Sequence, residues 1–144
     1  MVHAYHYARF SNVADAKNEA KWCLVNLKKL GIHEDSVIAL DVEDANLPKG
    51  NLNPLIESFL ATLHAAGFHK TDIYTMASWI WAKRIRPKKL RSNLWIANYG
   101  VTEPGVDNVG TWQYTNAFHD MNLDMSYDFR GFYTQDPEKH EGKF

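Results

Sequence analysis

Apolar residues recur along the chain with two different spacings, which predict where helices and strands lie. Between residues 13 and 30 they recur every three or four positions, the spacing that gathers side chains on one face of an α-helix. Ser11 or Asn12 is suited to cap this helix, because a short polar side chain accepts a hydrogen bond from the first turn. Gly31 is suited to end it, so the pattern predicts a helix between these residues.

A second helix is predicted over residues 55–63, which repeat the same spacing. Asn53 supplies a cap and Pro54 a first-turn proline, whose fixed φ angle suits the start of a helix. A third, shorter helix over residues 78–85 stops near Pro87, because proline cannot continue an α-helix.

Six short apolar segments bounded by turn residues predict strands. They are Val2–Phe10, Ala39–Glu43, Thr71–Met76, Asn93–Tyr99, Gly110–Tyr114 and Leu123–Ser126. Strands that alternate with helices imply parallel pairing with right-handed crossovers, so the pattern favours an α/β fold, either a (β/α) barrel or an open sheet. We expect one domain over residues 1–130 and a polar tail over residues 131–144.

The strand that ends in Asp41-Val42-Glu43 is the strongest signal of chemistry. Successive strand side chains alternate faces, so the two carboxylates share one face, while Ile38, Leu40 and Val42 form an apolar set suited to a face covered by helices. Their Cα atoms should lie about 6.6 Å apart, close enough for one carboxylate to raise the pKa of the other. An Asp-x-Glu sequence also arises where a chain simply leaves a sheet and meets water.

Composition excludes several classes of protein. The chain has 144 residues, 45% hydrophobic and 23% charged, which suits one globular domain, and its formal net charge of −1 argues against wholesale electrostatic binding of nucleic acid. Cys23 is the only cysteine and the histidines show no metal-ligand spacing, so we expect no metal site and no cofactor. No apolar run reaches membrane-spanning length and no export signal opens the chain, so we expect no membrane partner.

The ends of the predicted strands carry side chains that suit a carbohydrate site. Aromatic rings stack on the apolar faces of sugars, while amides and carboxylates hydrogen-bond the hydroxyls, and in a βα-barrel the C-terminal strand ends gather on one side. A single tryptophan is nevertheless more often a core residue than a sugar platform. The residues expected to bind substrate are Tyr5, His6, Tyr74, Trp95, Asn98, Tyr99, Trp112 and Gln113.

Five segments, in their order and spacing, resemble glycoside hydrolase family 25, the N-acetylmuramidases. They are Ala4–Arg9, Ala39–Glu43, Leu94–Gly100, Trp112–Thr115 and Leu123–Asp124. The resemblance spans nearly the whole chain. It implies an irregular TIM-like (β/α) barrel and cleavage of peptidoglycan between N-acetylmuramic acid and N-acetylglucosamine, as in lysozymes and phage endolysins.

The resemblance also implies roles for three acids. Glu43 would protonate the leaving oxygen with Asp41 beside it, and Asp124 would orient substrate or stabilise developing positive charge. Burial and the neighbouring Asp41 would both favour a Glu43 that keeps its proton near neutral pH.

The sequence departs from the family pattern at its N-terminus. Family members open with a strand bearing an aspartate in an Asp-Val-Ser-like motif and then a second strand, whereas this sequence begins at what resembles the third. We therefore expect an incomplete barrel, with free sheet edges at the Tyr5 and Asp124 strands through which the chain self-associates. We also expect impaired turnover. The alternative is a catalytically inactive wall-saccharide-binding or scaffold module.

The resemblance further implies a partner and a location. The partner would be the glycan strands of peptidoglycan. The chain would be made in the cytoplasm without a signal peptide, as for phage or prophage endolysins, and would act at the bacterial wall after release.

A basic cluster spans the end of the third predicted helix and the residues after it. It suits contact with the phosphates of an anionic wall polymer or a nucleic acid, although a solvated helix end is the simpler interpretation. No base-stacking aromatics are interleaved with it, so we assign no nucleic-acid binding. The cluster consists of Lys83, Arg84, Arg86, Lys88, Lys89 and Arg91.

Overall fold

The computed structural model describes residues 1–134. The strands are β1 (Ala4–Tyr7), β2 (Ile38–Asp41), β3 (Thr71–Met76), β4 (Asn93–Ala97), β5 (Thr111–Thr115) and β6 (Met125–Asp128). The helices are α1 (Val13–Lys29), α2 (Asn53–Ala65) and α3 (Ala77–Trp81), with short 3-10 helices at Pro87–Lys89 and Phe118–Asp120. The order of strands and α-helices is the predicted one, and most elements are shorter than predicted. Of the predicted polar tail, residues 135–144 lie outside the described residues.

The six strands form one sheet in chain order. Strands β1 to β5 are parallel, and their register places Tyr7 opposite Asp41 and Asp41 opposite Tyr74. Within the described residues, β1 pairs only with β2 and β6 only with β5, so the sheet does not close on itself. The predicted α/β fold with an incomplete barrel is confirmed.

Strand β6 departs from the expected parallel arrangement, because it runs antiparallel to β5. A parallel connection needs a crossover of about a dozen residues or more, and the link over residues 116–124 is shorter and carries a single 3-10 turn. His119 and Asp120 in this turn have positive φ angles of 51° and 59°, as is typical of a tight reversal. The start of β6 therefore lies beside the C-terminal ends of the parallel strands.

The core lies between one face of the sheet and helices α1 and α2. The apolar set predicted for β2, namely Ile38, Leu40 and Val42, is fully buried there. Each such side chain contributes about 1.5–3 kcal/mol when buried, so this face holds the sheet against the helices. The buried helix side chains are Ala16, Ala20, Cys23 and Leu27 of α1 and Ile56, Phe59, Leu60 and Leu63 of α2.

The two long helices begin differently. The predicted cap Asn12 is confirmed, because its side chain accepts a hydrogen bond from the Asp15 N–H at 2.9 Å. The predicted cap Asn53 is wrong, because this residue is already helical and its buried amide bonds the main chain of Arg86 instead. It donates to the Arg86 carbonyl at 2.9 Å and accepts from the Arg86 N–H at 2.8 Å. This contact satisfies both ends of a buried amide, whereas a cap would satisfy one.

The turn after β6 covers the N-terminal ends of the parallel strands. The Asp128 carboxylate accepts hydrogen bonds from the N–H groups of Phe132 and Tyr133 at 3.0 and 2.8 Å. The Tyr133 hydroxyl donates to the fully buried Asp72 of β3 at 2.7 Å, and Nε2 of His3, just before β1, donates to the Tyr133 carbonyl at 2.9 Å. The packed chain thus extends beyond the predicted boundary at residue 130, and this turn links the two ends of the open sheet.

Candidate active site

A cleft of about 530 Å³ opens on the face of the sheet opposite the helices. Its volume lies in the range of about 300–1,000 Å³ that is usual for ligand sites. The cleft brings together all three predicted catalytic carboxylates and half of the predicted substrate-binding residues. It is lined by Tyr5, Ala39, Asp41, Glu43, Tyr74, Trp95, Gln113, Asp124 and Ser126.

Strand alternation brings the first two acids to this cleft. Ala39 and Asp41 lie on the cleft side of β2, because their neighbours in sequence are buried against the helices. Glu43 lies two residues beyond the end of the strand and continues the same side. Asp41 and Glu43 therefore lie on the same side of the sheet, as strand alternation predicts, although the strand itself ends at Asp41.

Asp41 and Glu43 differ in environment. Asp41 is half-buried, and its Oδ1 is enclosed with no hydrogen-bond partner among residues 1–134, whereas the Glu43 side chain is exposed. Burial, and then the negative charge of Glu43, raises the pKa of Asp41 from 3.8 to about 7. The prediction that burial would act on Glu43 is therefore wrong, because Glu43 lies past the strand end and burial falls on Asp41. Asp41 exchanges a proton near neutral pH.

Two aromatic rings and an amide form one wall of the cleft. The Tyr74 and Trp95 rings meet edge to face with their centroids 5.0 Å apart. The Tyr74 hydroxyl donates to Oε1 of the buried Gln113 at 2.6 Å, and Trp95 Nε1 donates to Ser126 Oγ at 3.1 Å. Burial is the main cause that raises the pKa of Tyr74, so this phenol stays neutral. These bonds connect four strands, β3 to β5 and β4 to β6, and hold the wall in one arrangement.

Asp124 reaches the cleft by a route that differs from the predicted one. The sequence predicts Asp124 within a parallel strand over Leu123–Ser126, but it is exposed just before the start of β6. Because β6 is antiparallel, its beginning meets the C-terminal ends of the other strands. Ser126, two residues further on, lines the same cleft. Sequence reasoning missed Ser126 and Ala39, although period-two alternation from Asp124 and Asp41 would have found both.

His6 does not line the cleft, and its predicted place near substrate is wrong. It alternates with Tyr5 along β1 and therefore lies on the helix side of the sheet, where it is 9% exposed. Its Nε2 lies 2.7 Å from a Glu19 carboxylate oxygen of α1, and its ring packs 5.1 Å from the Phe59 ring of α2. This histidine joins a strand to two helices.

Three other predicted substrate residues lie outside the cleft lining. Trp112 alternates with Gln113 and is buried, with its Nε1 donating to the Asn98 carbonyl at 2.9 Å. The Asn98 side chain donates to the Pro104 carbonyl at 3.0 Å. Tyr99 interacts with the hydroxyl of Tyr74. These residues hold the loop after β4 and the aromatic wall from behind. Alternation along β5 separates Trp112 from Gln113, whereas Asn98 and Tyr99 follow the end of β4, where alternation no longer applies.

Two features that would indicate other functions are absent from the described part of the chain. Among residues 1–134, no group of three or more His, Cys, Asp or Glu side chains is arranged to hold a metal ion. No helix in the same range has the length and apolar character needed to cross a membrane.

The chain resembles solved structures over most of its length. The catalytic domain of endolysin Ply40 from bacteriophage P40 of Listeria monocytogenes matches with a TM-score of 0.73 and 25% identity, over 92% of this chain and 69% of that one. GHIP, a glycosyl hydrolase 25 and virulence factor of Streptococcus pneumoniae, matches with a TM-score of 0.71 and 25% identity, over 88% and 58%. The modular autolysin LytC of the same species, solved with a synthetic peptidoglycan ligand, matches with a TM-score of 0.71 and 25% identity, over 85% and 32%. The chain spans less than two thirds of the latter two.

The sequence matches a protein family rather than an individual curated protein. A search of curated proteins found no match. The profile of glycosyl hydrolases family 25, however, matches residues 1–122, a range that includes Asp41, Glu43 and the aromatic wall. With six strands in the same fold as solved family members, and with a profile match over most of its length, the chain belongs to family 25 of the glycosyl hydrolases.

Proposed function

We propose that the cleft hydrolyses peptidoglycan by cleaving the β-1,4 bond between N-acetylmuramic acid and N-acetylglucosamine. Asp41, Glu43 and Asp124 bordering one cleft with an aromatic and amide wall carry this proposal. Glycoside cleavage needs one carboxyl group to protonate the leaving oxygen and a second carboxylate to assist at the sugar ring. The synthetic peptidoglycan ligand held by the related LytC supports this substrate class.

Glu43 is the proposed acid. It lies at the rim beyond β2, where an exposed carboxyl group can meet the oxygen of a bound glycan. Asp41 lies on the same side of β2, and its pKa of about 7 leaves it partly protonated at neutral pH. We assign Asp41 to return a proton to Glu43 between turnovers.

Asp124 is the proposed stabiliser of positive charge. It borders the same cleft from β6, at the opposite end of the sheet from β1. An exposed carboxylate there faces the sugar ring, on which positive charge develops as the bond breaks. Trp95 and Tyr74 provide the surface on which the ring would stack, and Gln113 supplies an amide.

The open sheet leads to two further proposals. Residues 1–144 alone are expected to turn over slowly, since no strand among residues 1–134 closes the cleft between β6 and β1. Two copies are expected to associate through these edges, because a strand edge with unpaired main-chain groups readily pairs with another chain. Tyr5 on β1 and Trp22 on the adjacent α1 are 75% and 63% exposed, which adds apolar surface to that edge. Light scattering at high concentration tests the association, and a monomer of 16.6 kDa would contradict it.

The function is tested by the release of reducing ends from purified peptidoglycan. Glu43→Gln is expected to lower the rate by about a thousandfold or more, because it removes the proposed acid while keeping the shape of the side chain. Glu57→Gln is the matched control, since Glu57 is an exposed glutamate on α2, outside the cleft lining. Action at the bacterial wall predicts that whole cells treated from outside are lysed by wild type and not by Glu43→Gln.

Two outcomes would contradict the assignment. If Glu43→Gln keeps the wild-type rate while Asp41→Asn loses it, Asp41 is the acid. If wild type binds peptidoglycan but releases no reducing ends at any protein concentration, the chain is the saccharide-binding module that stands as the alternative.

A further inference from the structure

We propose that a basic groove on the helix side of the sheet, between residues 80–89 and residues 105–108, binds the phosphodiester backbone of a polyol-phosphate polymer attached to the bacterial wall. The groove is distinct from the cleft and lies over β4. Its charged lining residues are Lys83, Arg86, Lys88, Lys89, Arg130 and Asp107.

The groove exists because the alternation of strand and helix stops after β4. Residues 98–110 join β4 to β5 without a helix, so loop and the short α3 cover the outer face of β4. Leu94 of β4 and Ile85 form part of the floor, and the resulting cavity measures about 740 Å³. This volume suits a stretch of polymer several groups long.

The loop wall of the groove is held in place. Trp81 Nε1 donates to the Gly105 carbonyl at 2.9 Å, and Asn98 donates to the Pro104 carbonyl at 3.0 Å. Gly105 has a φ of +72°, and a Cβ there would lie 3.1 Å from the Trp81 ring. The groove is therefore formed before any ligand arrives.

Its cations are available for an external anion. Five cations and one carboxylate line the groove, although the whole chain has a net charge of −1. All five are exposed, and none of them forms an ion pair within residues 1–134. Arg130 also donates a long hydrogen bond, at 3.4 Å, to the Asn108 carbonyl in the wall of the groove. Arg84 of the same sequence cluster is used differently, because it stacks 4.0 Å over the Trp79 ring and donates to the Pro48 carbonyl at 2.6 Å. Five like charges along one groove are complementary to a polyanion rather than to a single small anion.

The lining favours a polyol phosphate over a nucleic acid. Binding of single-stranded nucleic acid uses several aromatic platforms for successive bases. Among the described residues that line this groove, Trp81 is the sole aromatic side chain, and its ring edge is occupied by Gly105. Phosphates spaced along a flexible polyol would meet the cations without any need for stacking. Such a polymer attached to the wall would also hold the cleft near its glycan substrate, because a second contact raises the effective concentration of the first.

This inference rests on the proposed action at the wall, and binding tests it separately from hydrolysis. The probe is a purified polyglycerol phosphate, titrated against Glu43→Gln so that no glycan chemistry contributes. Arg86→Glu with Lys88→Glu is expected to weaken binding by at least about tenfold, and wild-type affinity is expected to fall steeply between about 50 and 200 mM salt. Lys17→Glu with Lys21→Glu on the exposed side of α1 makes the same change of charge and should bind as wild type.

Two results would overturn the inference. Unchanged binding in the Arg86→Glu, Lys88→Glu variant would place the polymer elsewhere. A single-stranded oligonucleotide with the same number of phosphates serves as the competitor. If it binds more tightly than the polymer, and if Trp81→Ala abolishes that binding, the groove is a nucleic-acid site. If wild type binds the polymer but releases no reducing ends from peptidoglycan, the proposed function is refuted and the polymer site is not.

Discussion

Replacing Asp41 with asparagine is expected to stabilise the folded chain at alkaline pH. Asp41 is half-buried, with one carboxylate oxygen lacking a partner in the described part of the chain, and its pKa is raised from 3.8 to about 7, first by burial and then by Glu43. At about 1.4 kcal/mol per pH unit, that increase corresponds to about 4 kcal/mol of destabilisation when the group is ionised. Because the side chain is partly exposed and solvent screens its charge, we expect about 2 kcal/mol.

The sign follows from proton binding. A carboxyl group whose pKa is higher in the folded state binds more protons there than in the unfolded state. Wild-type stability is therefore unaffected by this group below pH 3.8, falls as the pH rises from 3.8 to about 7, and levels off above. Asparagine does not titrate, so the free energy of unfolding of Asp41→Asn does not show this fall as the pH rises.

The measurement is urea unfolding followed by tryptophan fluorescence at about pH 4.5 and about pH 8, with the free energy of unfolding of each protein compared between the two. Comparing the difference across pH cancels any fixed cost of packing an asparagine. Glu57→Gln, at an exposed position, should keep the wild-type dependence on pH. Equal dependence on pH in wild type and Asp41→Asn would refute the conclusion that burial governs this carboxyl group.

Three further predictions test other parts of the structure. Trp95→Ala is expected to weaken binding of soluble peptidoglycan fragments by about tenfold in calorimetry, because it removes the stacking wall, whereas Trp22→Ala on α1 should have no effect; equal losses would exclude a specific wall. His6→Ala is expected to lower the free energy of unfolding by about 2 kcal/mol while KM stays at the wild-type value, because this ring packs between sheet and helices. A raised KM in that variant would restore His6 to the substrate site. Asn53→Ala is expected to cost about 2 kcal/mol in chemical unfolding, because it leaves two main-chain groups of Arg86 without their partner, and a loss under about 0.5 kcal/mol would contradict that role.

Contacts of Tyr133 cover the open sheet at the N-terminal ends of its parallel strands. Tyr133 bonds Asp72 from β3 and His3 from the start of β1, and its ring lies 5.7 Å from Trp95. Burial is the largest cause that raises the pKa of Asp72, to about 6. Residues after β6 therefore complete the interior at the end opposite the acids, so the rim that carries Asp41 and Glu43 is left as the open side.

Local pattern alone determined the order of the strands and α-helices, the apolar helix-facing set of β2 and the shared side of Asp41 and Glu43. These features depend on periods of 2 and 3.6 residues, which are properties of neighbouring positions in the chain. The same alternation separates Tyr5 from His6 and Trp112 from Gln113. The sequence-based prediction placed each pair together at a strand end, where period two puts only one member in the cleft.

Tertiary structure alone decided the direction of β6, the partner of Asn53 and the burial of Asp41 in place of Glu43. Each depends on the local chain path or on a distant segment: a short link that reverses the chain before β6, the main-chain groups of Arg86, and a strand that ends two residues before Glu43. Spacing along a chain carries no information about such neighbours. The shared side of the two carboxylates could therefore be read from the sequence, but the raised pKa of Asp41 could be read only from the fold.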